Sequence, residues 1–372
     1  MGVEHEKTRL LFLSRDQYGY HRSTTQIAEA LAKRHQVSYL CLDSGKPKIH
    51  AGIPVTYAGA GNQTRLKRAA ALFSEIYKRR SAFDVIFSKY FPGVSLLVLL
   101  VPSKHLIVNF ATRGVQNRFL PRLGFDIVMA AEAIFCRHAF VISRSLGRRI
   151  LRPKAAVLPL GVDLPAAPVG LNALSSPATK TLLYVGDFRL RRLETLICGL
   201  HIYTQSSGSN DVRLRLVGGD DSLIAPLAEL AEHLGVDKQV EFLGYLSGTE
   251  LQAAYDGCCG GIVHVPVVRH FRGQPSTKLL EYWSHGIPVL ASDTEEAREF
   301  VDESRGIIYQ DSPEGFASGI QSFFAGLSHV NPPELCRRVE SRSWERIASD
   351  YVEPLLKRLD SKGSKGRVRS HL

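Results

Sequence analysis

A chain of 372 residues that is 44% hydrophobic and 22% charged is too long for one ordinary core and has the composition of a two-domain globular α/β enzyme. No apolar run reaches the ~18 residues of a membrane span, and the start lacks a signal peptide's cleavage pattern, so a cytosolic protein is expected. Six scattered cysteines without a C-x-x-C pair point to neither a disulfide framework nor a zinc site. The net charge of +11 gathers in Arg65–Arg80, Arg144–Lys154, Arg189–Arg192 and Lys357–Arg369. Such charge suits phosphorylated substrates or an anionic membrane surface, and no nucleic-acid module accompanies it.

In chain order, Arg9–Ser14 reads as a buried strand, followed by a turn around Gly19 and a helix over Ser23–Arg34. Strands follow at Val37–Leu42 and Ile53–Tyr57, then a basic helix over Gln63–Arg80. The cations of that helix, including Arg65, Lys67, Arg68, Lys78, Arg79 and Arg80, are the expected contacts to an anionic leaflet. Further strands fall at Phe83–Phe87, Leu106–Asn109, Phe140–Ser143 and Ala156–Pro159. This alternation predicts a parallel, doubly wound sheet, whose ligand loops lie at the carboxyl ends of its strands.

Gly161–Lys180, rich in proline, serine and small residues, reads as a linker. The pattern then restarts, with strands at Thr181–Val185, Arg213–Val217, Val240–Leu243 and Gly261–Val265. Helices are expected between them at Arg191–Tyr203, Ser222–Leu234 and Ser247–Tyr255, with Asp221 as a cap. A second Rossmann-like domain follows.

The most constrained stretch is Gly273–Asp293. Pro275, Ser276 and Thr277 supply helix-start chemistry, Gly286 a stop, and Ile287–Ala291 a short apolar strand. Leu279, Leu280 and Trp283 share one side of this helix, and Lys278, Glu281 and His285 share another. The free N–H groups of the helix start, with Lys278 in its first turn, favour a phosphate. Glu281, one turn on, has oxygens suited to a ribose diol, or forms an ordinary i,i+3 pair with Lys278. A P-loop is rejected because the lysine follows the Ser/Thr and the flanking glycines are missing. Gly219-Asp220-Asp221 lies between strand and helix and is not read as a metal motif.

Taken together these segments resemble the GT-B glycosyltransferases, in particular the retaining glycosyltransferase family 4. The resemblance is carried by Val157–Asp163, Leu182–Gly186, Leu214–Gly218, Val240–Ser247, Lys278–Ser292 and Trp344-Glu345 with Ile347-Ala348, in that order. It implies a fold of two Rossmann-like domains facing each other across a cleft. The expected divisions are an acceptor domain over 1–165, a donor domain over 166–340, a helix over 341–360 crossing back to the first domain, and a basic disordered tail over 361–372.

The function implied is transfer of a sugar from a nucleoside-diphosphate donor to a glycan or lipid-linked acceptor, with retention and without a metal or other cofactor. Arg191, Arg192 and Lys278 would stabilise the leaving diphosphate. Cations at a helix start oppose its dipole unless an anion is present, which favours that role. Donor contacts are expected from Gly19, Gly186, Tyr245, Ser276, Thr277, Leu279 and Glu281. Tyr245 would meet the base, or else pack as an ordinary aromatic.

Acceptor contacts would come, by position, from His21, Arg22, Arg113, Asn117 and Arg118. The chain departs from the family pattern at Asp187, where a basic residue is usual, and at Gly273, where the first glutamate of E-x7-E would stand. Those departures keep two alternatives open: a GT-B nucleotide-sugar epimerase, and a catalytically weak nucleotide-sugar-binding protein. Polysaccharide biosynthesis at the cytoplasmic membrane face is the setting that relatives of this kind imply.

Overall fold

Apolar strands alternating with amphipathic helices build two parallel sheets, each buried on both faces, which is why the strands read as nearly continuous hydrophobic runs. The computed structural model describes residues 7–111, 119–166, 168, 180–246, 248–268 and 276–367, with the backbone alone at 119 and 361–367. It divides into two units, Met1–Gly161 with Trp344–Leu372, and Val162–Ser343.

The first unit runs β1 (Arg9–Ser14), α1 (Arg22–Ala32), β2 (Gln36–Leu42), β3 (Val55–Ala58), α2 (Arg65–Lys78) and β4 (Val85–Lys89). It continues with α3 (Leu97–Leu100), β5 (His105–Phe110), α4 (Phe119–Phe135), β6 (His138–Val141), α5 (Arg144–Arg149) and β7 (Ala156–Val157). The seven-stranded sheet has the order β3-β2-β1-β4-β5-β6-β7. Leu10 pairs in register with Val37 on one side and Val85 on the other.

The second unit runs β8 (Lys180–Val185), α6 (Glu194–Ser207), β9 (Val212–Val217), α7 (Asp221–His233), β10 (Val240–Gly244), α8 (Gly248–Ala254) and β11 (Cys258–Val263). It continues with α9 (Thr277–Ser284), β12 (Val289–Ser292), α10 (Glu295–Phe300), β13 (Gly306–Tyr309), α11 (Pro313–Gly326) and α12 (Pro332–Glu340). Its six strands follow β10-β9-β8-β11-β12-β13. In each sheet the strand order reverses once, between β1 and β4 and between β8 and β11, and ligands bind outside the carboxyl ends of strands at such a reversal.

After α12 the chain rejoins the first unit. α13 (Trp344–Ile347), a π-helical turn over Ala348–Val352 and α14 (Glu353–Arg367) follow one another. Trp344, Ile347, Val352, Leu356 and Leu359 are buried with Leu10, Phe12 and Ile27 in one face of the first core. Arg34 reinforces this seat through an ion pair with Glu353 at 2.7 Å. A Cβ on Gly161 would lie 2.4 Å from the Trp344 ring, so only glycine lets the indole close over the chain there.

Several local expectations are corrected. The helix predicted from Arg191 starts at Glu194. Leu190 and Arg192 have φ of 60° and 54°, and this left-handed turn keeps both arginines off the helix. Asp220 rather than Asp221 is the N-cap of α7, and its side chain makes no capping bond. The helical backbone of α14 continues past Asp360 to Arg367, where a disordered tail was expected. His285 is close enough for Glu281 to act on it, but it is no surface group: it is 4% exposed and stacks on Tyr255 with ring centroids 4.3 Å apart. Most of the expected linker Gly161–Lys180 lies outside the described residues. At its start the Val162 N–H donates to the Arg342 carbonyl at 2.8 Å.

The second unit turns on one buried contact. Tyr282 of α9, 0% exposed, donates its hydroxyl to the Leu183 carbonyl at 2.8 Å and accepts from the Val185 N–H at 3.1 Å. Its ring fills the space where a Cβ on Gly261 would stand, 2.3 Å from the ring carbon. Gly261→Ala should therefore destabilise the second unit by about 1–3 kcal/mol through overpacking. Tyr282→Phe, which orphans a buried N–H and carbonyl, should cost about 1–3 kcal/mol. Urea unfolding read in each unit separately checks this, and equal midpoints for variants and parent would refute it.

Candidate functional site

Beyond the carboxyl ends of β8 and β11, at the point where the strand order reverses, lies a cavity of about 300 Å³. Tyr184–Asp187 form one wall and Ile262–Val265 another; Ser276, Thr277 and Lys278 at the start of α9, together with Arg191, close it. Tight backbone lacing holds the strand ends that frame it. Gly186 N–H donates to the Val217 carbonyl at 3.0 Å, and Gly218 N–H to the Gly244 carbonyl at 2.7 Å. Gly218 has φ 130°, and a Cβ there would meet the Gly186 oxygen at 1.9 Å, so neither the turn nor the approach admits a side chain.

The α9 start is capped as the sequence predicts: Ser276 Oγ accepts from the Lys278 N–H at 3.3 Å. Behind it stands Glu296, whose two carboxyl oxygens each lie 2.7 Å from the Ser276 N–H. Burial pushes the Glu296 carboxyl up to about 8, with that N–H pulling the other way and Glu299 adding to the rise. At neutral pH it is therefore largely uncharged, and the positive field of the helix start faces the cavity unquenched.

Lys278 and Glu281 form an ion pair across one turn of α9, each side chain about one quarter exposed, at 25% and 26%. Lys278 lines the cavity and Glu281 stands beside it. Arg191 also lines the cavity, whereas Arg192 points its guanidinium at Asp311, 3.6 Å away. Asp311 also approaches His264 Nε2 at 3.9 Å, and the other ring nitrogen of His264 lies 2.7 Å from the Tyr309 hydroxyl. Burial, with Arg192 and Arg191 nearby, pushes His264 down to about 4 against the opposing pull of Asp311, so this cavity-lining imidazole is neutral.

The remaining sequence candidates fall into different surroundings. Ser276, Thr277 and Gly186 are walls of the cavity. Leu279 is 2% exposed, its side chain in the apolar core and its backbone in the first turn of α9. Tyr245 is 81% exposed at the end of β10, which excludes the packed-aromatic reading and leaves a free ring face. Gly273 and Pro275 lie outside the described residues, as do Arg113, Asn117 and Arg118.

In the first unit, Gly19 has φ 85° and its Cβ direction is filled by Ile49 at 2.4 Å, so the glycine answers a local packing need. The strand-order reversal of that sheet carries Asp16, paired with Lys89 at 2.8 Å, and His21, held down to about 4 by burial and by Lys89. His21 also precedes α1, its Nδ1 lying 2.9 Å from Thr24 Oγ1, and Arg22 is the first residue of the helix.

Sequence reasoning missed His264, Glu296 and Asp311. The sequence reads Gly261–Val265 as a strand that takes in His264, whereas the strand ends at Val263. Glu296 reads as one of several carboxylates on a short polar helix, and only the fold brings it behind Ser276.

Residues 179–325 match the family described as Glycosyl transferases group 1. The match lies within the second unit. Sucrose-phosphate synthase from Thermosynechococcus elongatus superposes with TM-score 0.73 at 19% identity, covering 95% of this chain and 100% of that one. Anabaena HepE in complex with UDP gives 0.71 at 16% identity, covering 94% and 100%. A glycosyltransferase from Rickettsia africae gives 0.70 at 12%, covering 94% and 98%. A sequence comparison with curated proteins yields no match. These likenesses establish the fold as GT-B, two Rossmann-like α/β units in one chain.

The second unit should show a pH dependence set by Glu296. As pH rises through about 8, the carboxyl ionises beside the helix start and repels an anion there. Inorganic phosphate or UDP should bind more weakly above that pH in the parent protein, and Glu296→Gln should flatten the fall. Calorimetric titrations across the range check it; parallel profiles would remove Glu296 from the site.

Proposed function

We propose that the chain is a metal-independent, retaining glycosyltransferase that moves a sugar from a nucleoside-diphosphate donor to a glycan or lipid-linked acceptor. The observation that carries this reading is the cavity at the β8–β11 reversal, where a capped helix start, Lys278 and Arg191 converge. Three independent sources of positive potential aimed at one small space suit a diphosphate whose charge grows as the glycosidic bond breaks. The family match over this unit and the GT-B neighbours solved with UDP and with UDP-glucose support the same chemistry. UDP is accordingly the first donor nucleotide to test.

In this reading Lys278 leaves Glu281 for the diphosphate when donor enters, and Glu281 then accepts from the ribose hydroxyls. The exposed ring of Tyr245 offers a stacking face for the base. Arg191 takes the larger share of the leaving charge, because it lines the cavity whereas Arg192 is turned to Asp311. His264, neutral and buried in the wall, shapes the cavity without adding charge.

Glu281→Ala should weaken UDP binding roughly 10- to 150-fold, the equivalent of roughly 1.5–3 kcal/mol from lost charge-assisted hydrogen bonds, while shifting stability by at most a few tenths of a kcal/mol. Calorimetry on the two proteins decides it, and equal affinities would leave Glu281 as a surface partner of Lys278 alone. Arg191→Ala should lower turnover more than donor affinity, and Arg192→Ala should do so less. Sugar-product analysis with donor alone separates transfer from epimerisation, since an epimerase consumes donor without acceptor.

A further inference from the structure

The helix α4 is apolar on its outer side as well as its inner one, with Arg122, Asp126 and Glu132 only partly exposed. Every exposed residue of α4 whose side chain is described is apolar. Leu120, Leu123, Ile127, Val128, Ile134 and Phe135 all stand in solvent, Leu120 at 75% exposure. Of its two acids, Asp126 and Glu132, the second turns inward, accepting from the Tyr90 hydroxyl at 2.9 Å, the Gly93 N–H at 2.8 Å and the Ser95 hydroxyl at 2.7 Å. Those bonds bring the lead-in to α3 against α4, where Leu96 and Leu99 add to the ridge at 54% and 79% exposure. A surface helix of a globular protein has the opposite polarity, and an apolar ridge of this extent marks an interaction surface.

At the C-terminal end of α4 the chain passes directly into a second cavity, of about 480 Å³. Its lining includes Arg137, Arg152, Lys154 and Arg358 and no carboxylate. Arg152 is anchored by donating to the Cys136 carbonyl and, at 3.3 Å, to that of Arg137, so it also closes the end of α4. Leu151 and Tyr351, exposed at 65% and 41%, carry apolar surface from the ridge to the rim of this cavity.

We propose that α4 and the α3 turn lie flat on an anionic lipid bilayer, with the cavity at Arg137 and Lys154 receiving a lipid phosphate. A helix of 17 residues whose inner side, Met129 and Ala133, belongs to the core cannot span a bilayer but suits its interface. Charge decides against a second copy as the occupant: a symmetric pairing of this face would bring together two cationic cavities on chains of net charge +11. The basic helix α2 is a weaker membrane contact than its composition suggests, because Lys78 and Arg79 pair with Glu75 and Arg68 donates to the Asp43 carbonyl.

Co-sedimentation with vesicles of phosphatidylcholine alone, and of phosphatidylcholine with phosphatidylglycerol, tests the proposal on the whole chain. The protein should pellet with the anionic vesicles and keep part of that binding at high salt. Ile127→Ser/Ile134→Ser should lower the partition roughly tenfold or more and abolish the salt-resistant fraction. Arg137→Gln/Lys154→Gln should reduce the preference for anionic over neutral vesicles. All four positions are at the surface, so thermal melts should match the parent. Failure to pellet with either vesicle, variants that pellet like the parent, or a dimer in sedimentation equilibrium that Ile127→Ser/Ile134→Ser dissolves would each overturn it.

Discussion

The candidate donor site depends on a ring occupying the space of a missing side chain. Tyr282 can reach the backbone of β8 only because Gly261 presents no Cβ, and its hydroxyl then serves as both donor and acceptor to Leu183 and Val185. That contact fixes α9 in rotation and height against the sheet. The helix start is thereby aimed at the space between the ends of β8 and β11, and Lys278 comes with it. Packing in the core and anion chemistry at the surface are two ends of one short helix.

The electrostatics of the site follow the same economy of parts. A helix start, a lysine and an arginine would make an over-positive cavity if nothing answered them. Glu281 answers Lys278, so the lysine is held in place by a carboxylate that a diphosphate can displace, while Asp311 holds Arg192 outside the cavity lining. Glu296 is the exception. It satisfies the Ser276 N–H while burial keeps it near neutral, so it supports the loop without competing for the anion.

Much of this was legible in the sequence, and the reasons are local. β1 was predicted to the residue because an uninterrupted apolar run flanked by charge has no other stable reading, and the Ser276 cap because its chemistry is contained in a few adjacent residues. The twin sheets followed from alternation. What was not legible depends on partners distant in sequence or on backbone conformation. The turn at Leu190 and Arg192 adopts left-handed angles that no residue type there announces. His285 looks ionisable at helical spacing, yet Tyr255 from another helix junction buries it. Glu296 is twenty residues from Ser276, and nothing in either segment specifies their meeting. The polarity of α4 was hidden for the opposite reason: a helix with an apolar stripe outside has the same period as one with the stripe inside.

The seating of α13 and α14 on the first unit has a consequence for how the protein is made. Trp344, Ile347, Val352 and Leu356 complete a core begun by Leu10 and Phe12, so a nascent chain that has emerged only through the second unit still exposes the groove meant for them. The unit formed by Val162–Ser343 is continuous in sequence and has all its strands before that point. Synthesis order therefore inverts spatial numbering: the later unit can finish first, and the earlier one waits, partly open, for the ribosome to deliver its last helices.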